Sequence, residues 1–66
     1  MILTVNGETM ELQDGGTVAQ LLEKVAPGAP RVAVLVNDTV VRIEKRDSHV
    51  LGDGDRMEIL AFAGGG

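Results

Sequence analysis

The chain contains no cysteine, tryptophan or tyrosine, and its single aromatic residue is Phe62. Without cysteine there are no disulfides, no thiolate metal ligands and no thiol nucleophile, and the redox compartment is left unmarked. One aromatic cannot build a base-stacking platform for single-stranded nucleic acid. Basic residues are also in deficit: six Lys and Arg stand against ten Asp and Glu, for a net charge of −4. Nucleic-acid binding rests on neutralising phosphates, so this balance argues against it. The one basic cluster, Arg42, Lys45 and Arg46, is interrupted by Glu44 and followed by Asp47, and it reads as a solvated loop. An acidic surface instead suits a partner with a basic docking face. No apolar run approaches the roughly 20 residues of a membrane span. Met1-Ile2-Leu3-Thr4 has no basic region ahead of it and turns polar at Asn6, so a signal peptide is not expected. The expectation is a soluble, cytoplasmic chain with no membrane partner. At 66 residues it forms one domain, with a core that buries only about 60% of the unfolded surface.

What is present is a regular alternation of apolar segments and turn signals. Asn6-Gly7 predicts a type I′ hairpin turn, which needs positive φ at both central residues. That loop sets Val5 opposite Glu8, Leu3 opposite Met10 and Met1 opposite Leu12. Leu3, Val5, Met10 and Leu12 then share one face, with Thr4, Thr9 and Glu11 on the other. Thr17 with Gln20 three residues on forms a capping-box pattern. Val18, Leu21, Leu22 and Val25 follow at helical spacing as core positions, and Pro27-Gly28 ends the helix. Two or three turns are too short to stand alone, so the helix must pack on a sheet. Val32–Val36 is a β-branched strand, Asn37-Asp38 a turn, and Thr39–Ile43 the returning strand, with Val34, Val36, Val41 and Ile43 on one face. Glu44–Val50 reads as polar and irregular. Leu51-Gly52-Asp53-Gly54-Asp55 is a tight turn feeding a last strand from Arg56 to Phe62.

One helix across one face of a mixed four- or five-stranded sheet is an α+β arrangement. Such a sheet has two faces and one lid. Leu35, Val40, Leu60 and Phe62 fall on the side without the helix and are candidate partner-docking residues, Phe62 most of all because interface hot spots favour aromatics. Other combinations read as scaffold. Asp47, Ser48 and His49 are consecutive and cannot converge as a hydrolase triad. Lone His49 is a poor metal ligand. Asp53-Gly54-Asp55 lacks the remaining ligands of a calcium loop, and Asp14-Gly15-Gly16-Thr17 lacks the lysine and spacing of a phosphate loop. No catalytic residue and no metal site is expected. There remains the tail, Gly64-Gly65-Gly66, in which three residues without Cβ follow an apolar run.

The Asn6-Gly7 hairpin, the Gly16-Thr17-Val18 helix start, the Val36-Asn37 turn, the Leu51–Arg56 turn and the terminal Gly65-Gly66 occur in an order and at spacings that resemble the ThiS/MoaD family of ubiquitin-like sulfur carriers. The resemblance covers nearly the whole chain. It implies the ubiquitin-like β-grasp fold over residues 1–62 and a flexible glycine tail over 63–66. It implies that a ThiF-like adenylating enzyme uses ATP to activate the Gly66 carboxylate, with Gly64 and Gly65 threading the partner's channel. Sulfur then converts Gly66 to a thiocarboxylate, and a thiazole synthase (ThiG-like) takes that sulfur into thiamine. On this reading the chain is a co-substrate rather than an enzyme, binds no cofactor itself and is monomeric when free. The family signature is two glycines, and Gly64 is a third. The small subunit of molybdopterin synthase and a ubiquitin-like protein modifier are the alternative readings.

Overall fold

A computed structural model describes residues 1–28 and 31–61. The first hairpin joins β1 (Ile2–Val5) to β2 (Glu8–Glu11). Asn6 and Gly7 have φ of 50° and 84°, the two positive values that a type I′ turn demands. Register follows the prediction, with Val5 opposite Glu8, Leu3 opposite Met10, and Thr4 opposite Thr9. Met1 N donates to Leu12 O at 2.7 Å and Leu12 N to Met1 O at 3.0 Å, extending the pairing by one residue.

The helix α1 spans Val18–Val25 and starts on the predicted capping box. Gln20 N donates to Thr17 Oγ1 at 3.3 Å, and Thr17 N donates to Gln20 Oε1 at 2.9 Å. The two amides before Gln20 are taken by a distant segment. Val18 N donates to His49 O and Ala19 N to Arg46 O, each at 3.0 Å. The leading donors of α1, which a helix cannot satisfy internally, therefore all have partners. Leu21 and Val18 are fully buried, whereas Leu22 and Val25 are half-buried at the margin of the core. Leu22 is thus a boundary position rather than the full core position expected of it.

After α1 the chain enters β3 (Val32–Val36), whose valines at 32, 34 and 36 point into the core. Asn37 and Asp38 make a second turn with two positive φ values, 49° and 70°. The predicted return strand Thr39–Ile43 is cut short. β4 comprises only Thr39–Val40. Val41 keeps its inward position and donates its N–H to Val34 O at 2.8 Å, but Ile43 begins a 3-10 helix, Ile43–Lys45, and is 70% exposed. This tight turn brings the following residues back over the start of α1, where the carbonyls of Arg46 and His49 accept from its first amides; a straight β4 would carry them away. Arg46 is the second correction. Predicted in a solvated loop with Arg42 and Lys45, it is 8% exposed, and its Nη2 donates to Val32 O at 2.7 Å. Arg42 and Lys45 are exposed. The segment read as irregular is a plug docked on α1, with Thr17 bridged to Val50 and Leu51 N donating to Gly16 O at 2.9 Å.

β5 (Arg56–Ala61) completes the sheet. The strand order is β2-β1-β5-β3-β4, with β1 and β5 parallel and the other neighbours antiparallel. The last strand in sequence is thus central in space. Leu3, Val5, Val34, Val36 and Met57 meet Val18 and Leu21 beneath the helix, and Val41 and Leu51 close the sides. This is the β-grasp arrangement: five strands, mixed, with α1 across one face.

Candidate functional site

The site is built around β5, the strand that leads toward the glycine tail. Its entry is fixed by the turn before it. Asp53 Oδ1 accepts from Ile2 N at 2.6 Å, and Gly54 N donates to Ile2 O at 2.7 Å, so the turn is tied to the start of β1. Gly54 has φ of 87°, which glycine adopts without the penalty of a Cβ. Asp55 closes the turn on itself, accepting from Gly52 N at 2.8 Å, and also accepts from Asn37 Nδ2 at 3.0 Å. These two donors, the Gly52 amide first and the Asn37 amide second, hold the Asp55 carboxyl below its ordinary pKa, with His49 adding a smaller pull and burial opposing.

Two turn asparagines grip β5 from opposite sides. Asn37 Oδ1 accepts from Arg56 N at 3.0 Å, and Asn37 N donates to Arg56 O at 2.8 Å. Asn6 Oδ1 accepts from Ile59 N at 2.7 Å, and Asn6 Nδ2 donates to Ile59 O at 3.3 Å. Sequence reasoning assigned both residues to turns and missed this second use of their carboxamides. The only signal was residue type: glycine would serve the turn equally well, but only asparagine brings a side-chain donor and acceptor.

The face away from α1 divides in two. Toward β2 it carries Ile2, Thr4, Thr9 and Glu11, with Ile2 47% exposed. Toward β4 it carries Ala33, Leu35, Val40 and Leu60, with Glu58 among them. Leu35 lies opposite Val40 in one ladder and opposite Glu58 in the next, while Leu60 lies opposite Ala33. Val40 is 62% and Leu60 54% exposed, and Leu35 between them is half-buried. The three docking candidates with described positions are therefore neighbours on one patch. Arg56, paired with Asp38 at 2.7 Å, marks the polar side of β5 near its start. The remaining site candidates, Phe62, Gly64, Gly65 and Gly66, lie outside the described residues.

Comparison with known proteins gives a consistent family. The model of the ThiS family matches residues 3–66. The sulfur carrier protein ThiS of Escherichia coli is 29% identical over 66 residues, spanning all of both chains. A thiazole synthase of Paramagnetospirillum magneticum is 36% identical over the whole of this chain, which spans only 20% of that protein's length. Among solved structures, the crystal structure of the thiamine biosynthesis protein ThiS from Geobacter metallireducens superposes with a TM-score of 0.79 at 42% identity, covering 100% of both chains. A solution structure from the same organism gives a TM-score of 0.75 at 36% identity, covering all of this chain and 88% of the other. With the five-stranded mixed sheet and its single crossing helix already established, these matches make the chain a member of the ThiS family.

Proposed function

We propose that the chain is a sulfur carrier of thiamine biosynthesis, with Gly66 as the acyl carrier. The observation that carries this reading is the match of the family model through residue 66, which takes in Gly64, Gly65 and Gly66. The full-length likeness to a sulfur carrier protein supports it. So does the occurrence of a segment like this chain within a protein named thiazole synthase.

A carboxylate resists nucleophiles because it is anionic and resonance-stabilised. In the proposed first step a Gly66 carboxylate oxygen attacks the α-phosphate of ATP on a ThiF-like partner, forming an acyl adenylate and releasing pyrophosphate. Hydrosulfide, or an equivalent sulfur donor, then adds at the carbonyl carbon and expels AMP, leaving a thiocarboxylate and a proton. The partner encloses the adenylate and keeps water from it. Glycines suit a narrow channel because they carry no Cβ. The ordered domain contributes recognition: Leu35, Val40 and Leu60 form the docking patch, and Phe62, which follows β5 in the sequence, is the aromatic candidate to join them. The thiocarboxylate sulfur is the nucleophile that a thiazole synthase consumes. In this scheme the chain is a co-substrate that binds no cofactor, ATP being used by the partner, and it is monomeric when free.

The test is intact mass after incubation with a ThiF-type enzyme, ATP and a sulfur source. The expected result is a mass gain equal to replacing one oxygen by one sulfur, abolished by removing Gly65 and Gly66. Covalent ladders on other proteins would indicate a modifier instead. No mass change with an activating enzyme competent toward another carrier would refute the proposal.

A further inference from the structure

We infer that Asn6 is a positioning residue for sulfur loading: its carboxamide stands in for a missing strand and holds the tail-bearing end of β5 in one direction. The functional half of this inference rests on the sulfur-carrier reading; the structural half does not.

β5 is unequally supported along its length. On the β3 side it is paired throughout its second half, from Leu35 opposite Glu58 to Val32 opposite Ala61. On the β1 side the ladder has only two pairs, Thr4 with Arg56 and Val5 with Met57. There the chain turns away at Asn6-Gly7 into β2. The last backbone link from β1 is Asn6 N donating to Met57 O at 3.0 Å. Residues alternate the side to which their backbone groups point, so the next group on this side after Met57 is that of Ile59. A continuing β1 would have supplied it with an acceptor and a donor.

The Asn6 side chain supplies both. Its carboxamide has the same polar atoms as a peptide unit, and Oδ1 and Nδ2 meet Ile59 N and O at 2.7 Å and 3.3 Å. The parallel ladder is thus prolonged by one step after the backbone has left. Beyond it lies an open groove of about 380 Å³, lined by Asn6, Ile59, Val25 and Ala26 among others. Within the described residues no strand takes over on that side. β5 is described as far as Ala61, two residues after Ile59, and the three glycines follow in the sequence from Gly64. Among the described residues, the second half of β5 is therefore held on one side by β3 and on the other by a single side chain. A tail that must enter a partner's channel gains from a launch strand already held in place, since binding then has less freedom to remove.

The turn and the clamp can be separated. Asn6→Gly keeps a residue that adopts φ of 50° without strain and removes both side-chain bonds. Asn6→Asp keeps an acceptor for Ile59 N and loses the donor. Two readouts are needed. Amide hydrogen exchange on the free protein should show Ile59 exchanging about tenfold faster in Asn6→Gly, with Met57 and Val34 unchanged and with partial recovery in Asn6→Asp. Steady-state loading by a ThiF-type enzyme should show KM for the carrier raised about threefold or more in Asn6→Gly, in the same order across the variants, with kcat unchanged. Unchanged exchange at Ile59 would overturn the clamp. Faster exchange with unaltered KM would overturn positioning and leave Asn6 a stabilising residue only. A wild-type chain that does not load at all refutes the sulfur-carrier reading and the loading role with it, while the exchange result still decides the clamp.

Discussion

Asp55 holds the entry to β5 through two donors, the Gly52 amide and the Asn37 carboxamide, and both favour its ionised form. Its folded pKa is therefore lowered from the ordinary 3.8. For a depressed carboxyl the sign is fixed: the folded state is favoured above the unfolded pKa, and that contribution is lost as pH falls through the lower folded value. In Asp55→Asn one oxygen becomes an amide that faces a donor, so a hydrogen bond is lost at neutral pH, costing about 0.5–1.5 kcal/mol. Urea unfolding from about pH 7 down to about pH 2.5 should show the gap between wild type and Asp55→Asn narrowing once the pH is below about 4. A gap that stays constant would mean that the ionised form is not what the turn stabilises. Arg46 is the other residue with an energetic anomaly. Its Nη2 bonds Val32 O, but its Nε is buried with no hydrogen-bond partner. Arg46→Ala should cost about 2 kcal/mol, since it removes a charge-assisted bond and the packing of the aliphatic stem. Arg46→Met, which restores the stem, should recover part of that loss in chemical denaturation.

Helix α1 separates what spacing can reveal from what it cannot. Apolar residues at 18, 21, 22 and 25 define a stripe, and the stripe does face the sheet. Spacing does not say where the stripe meets the edge of the core. Leu21 is fully buried, while Leu22 borders a groove with Ala19, Ile43 and Arg46. Leu21→Ala should therefore cost about 2–5 kcal/mol, the range for a fully buried leucine, and Leu22→Ala distinctly less. Equal losses in a denaturant titration would move the helix axis from where it is described. The same divide runs through the other elements. The β1–β2 hairpin was legible to the residue because its turn type and its apolar pattern fix the same register. The capping box was legible because both of its bonds are local in sequence. Residues 43–50 were not. Their role is to give carbonyls to Val18 and Ala19 and a guanidinium to Val32, contacts made with elements far along the chain. A polar stretch with such partners looks the same in sequence as a loop in water. Nor was the truncation of β4 legible, since β-branched residues favour a strand and nothing local announces the 3-10 turn at Ile43–Lys45. The candidate site was legible in part: Leu35, Val40 and Leu60 were assigned together, whereas the carboxamide bonds of Asn6 depend on β5 lying beside β1, which no local pattern announces.

Among the described residues the molecule is a two-faced sheet with α1 over one face. Its outer face is mostly polar over β2 and β1, with Ile2 the apolar exception, and mostly apolar over β3, β4 and the end of β5, with Glu58 the charged one. On the sulfur-carrier reading the apolar half seats the activating partner. Leu60→Glu and Val40→Glu place charges at positions 54% and 62% exposed. Neither removes a core contact, so each should change folding stability by no more than about 0.5 kcal/mol. Each should nonetheless weaken binding to a ThiF-type partner at least about tenfold, because a carboxylate desolvated in an interface without a partner is costly. Thr9→Glu, a change at an exposed position on the β1–β2 half of the same face, controls for the net charge of −4 becoming more negative. General charge repulsion would weaken all three variants alike and would decline with added salt. A docking patch weakens only two, and the loss persists when salt is raised. Calorimetric titration at two ionic strengths, with unfolding curves for each variant, distinguishes these outcomes, and equal behaviour of Thr9→Glu and Leu60→Glu would remove the apolar patch from the proposed interface.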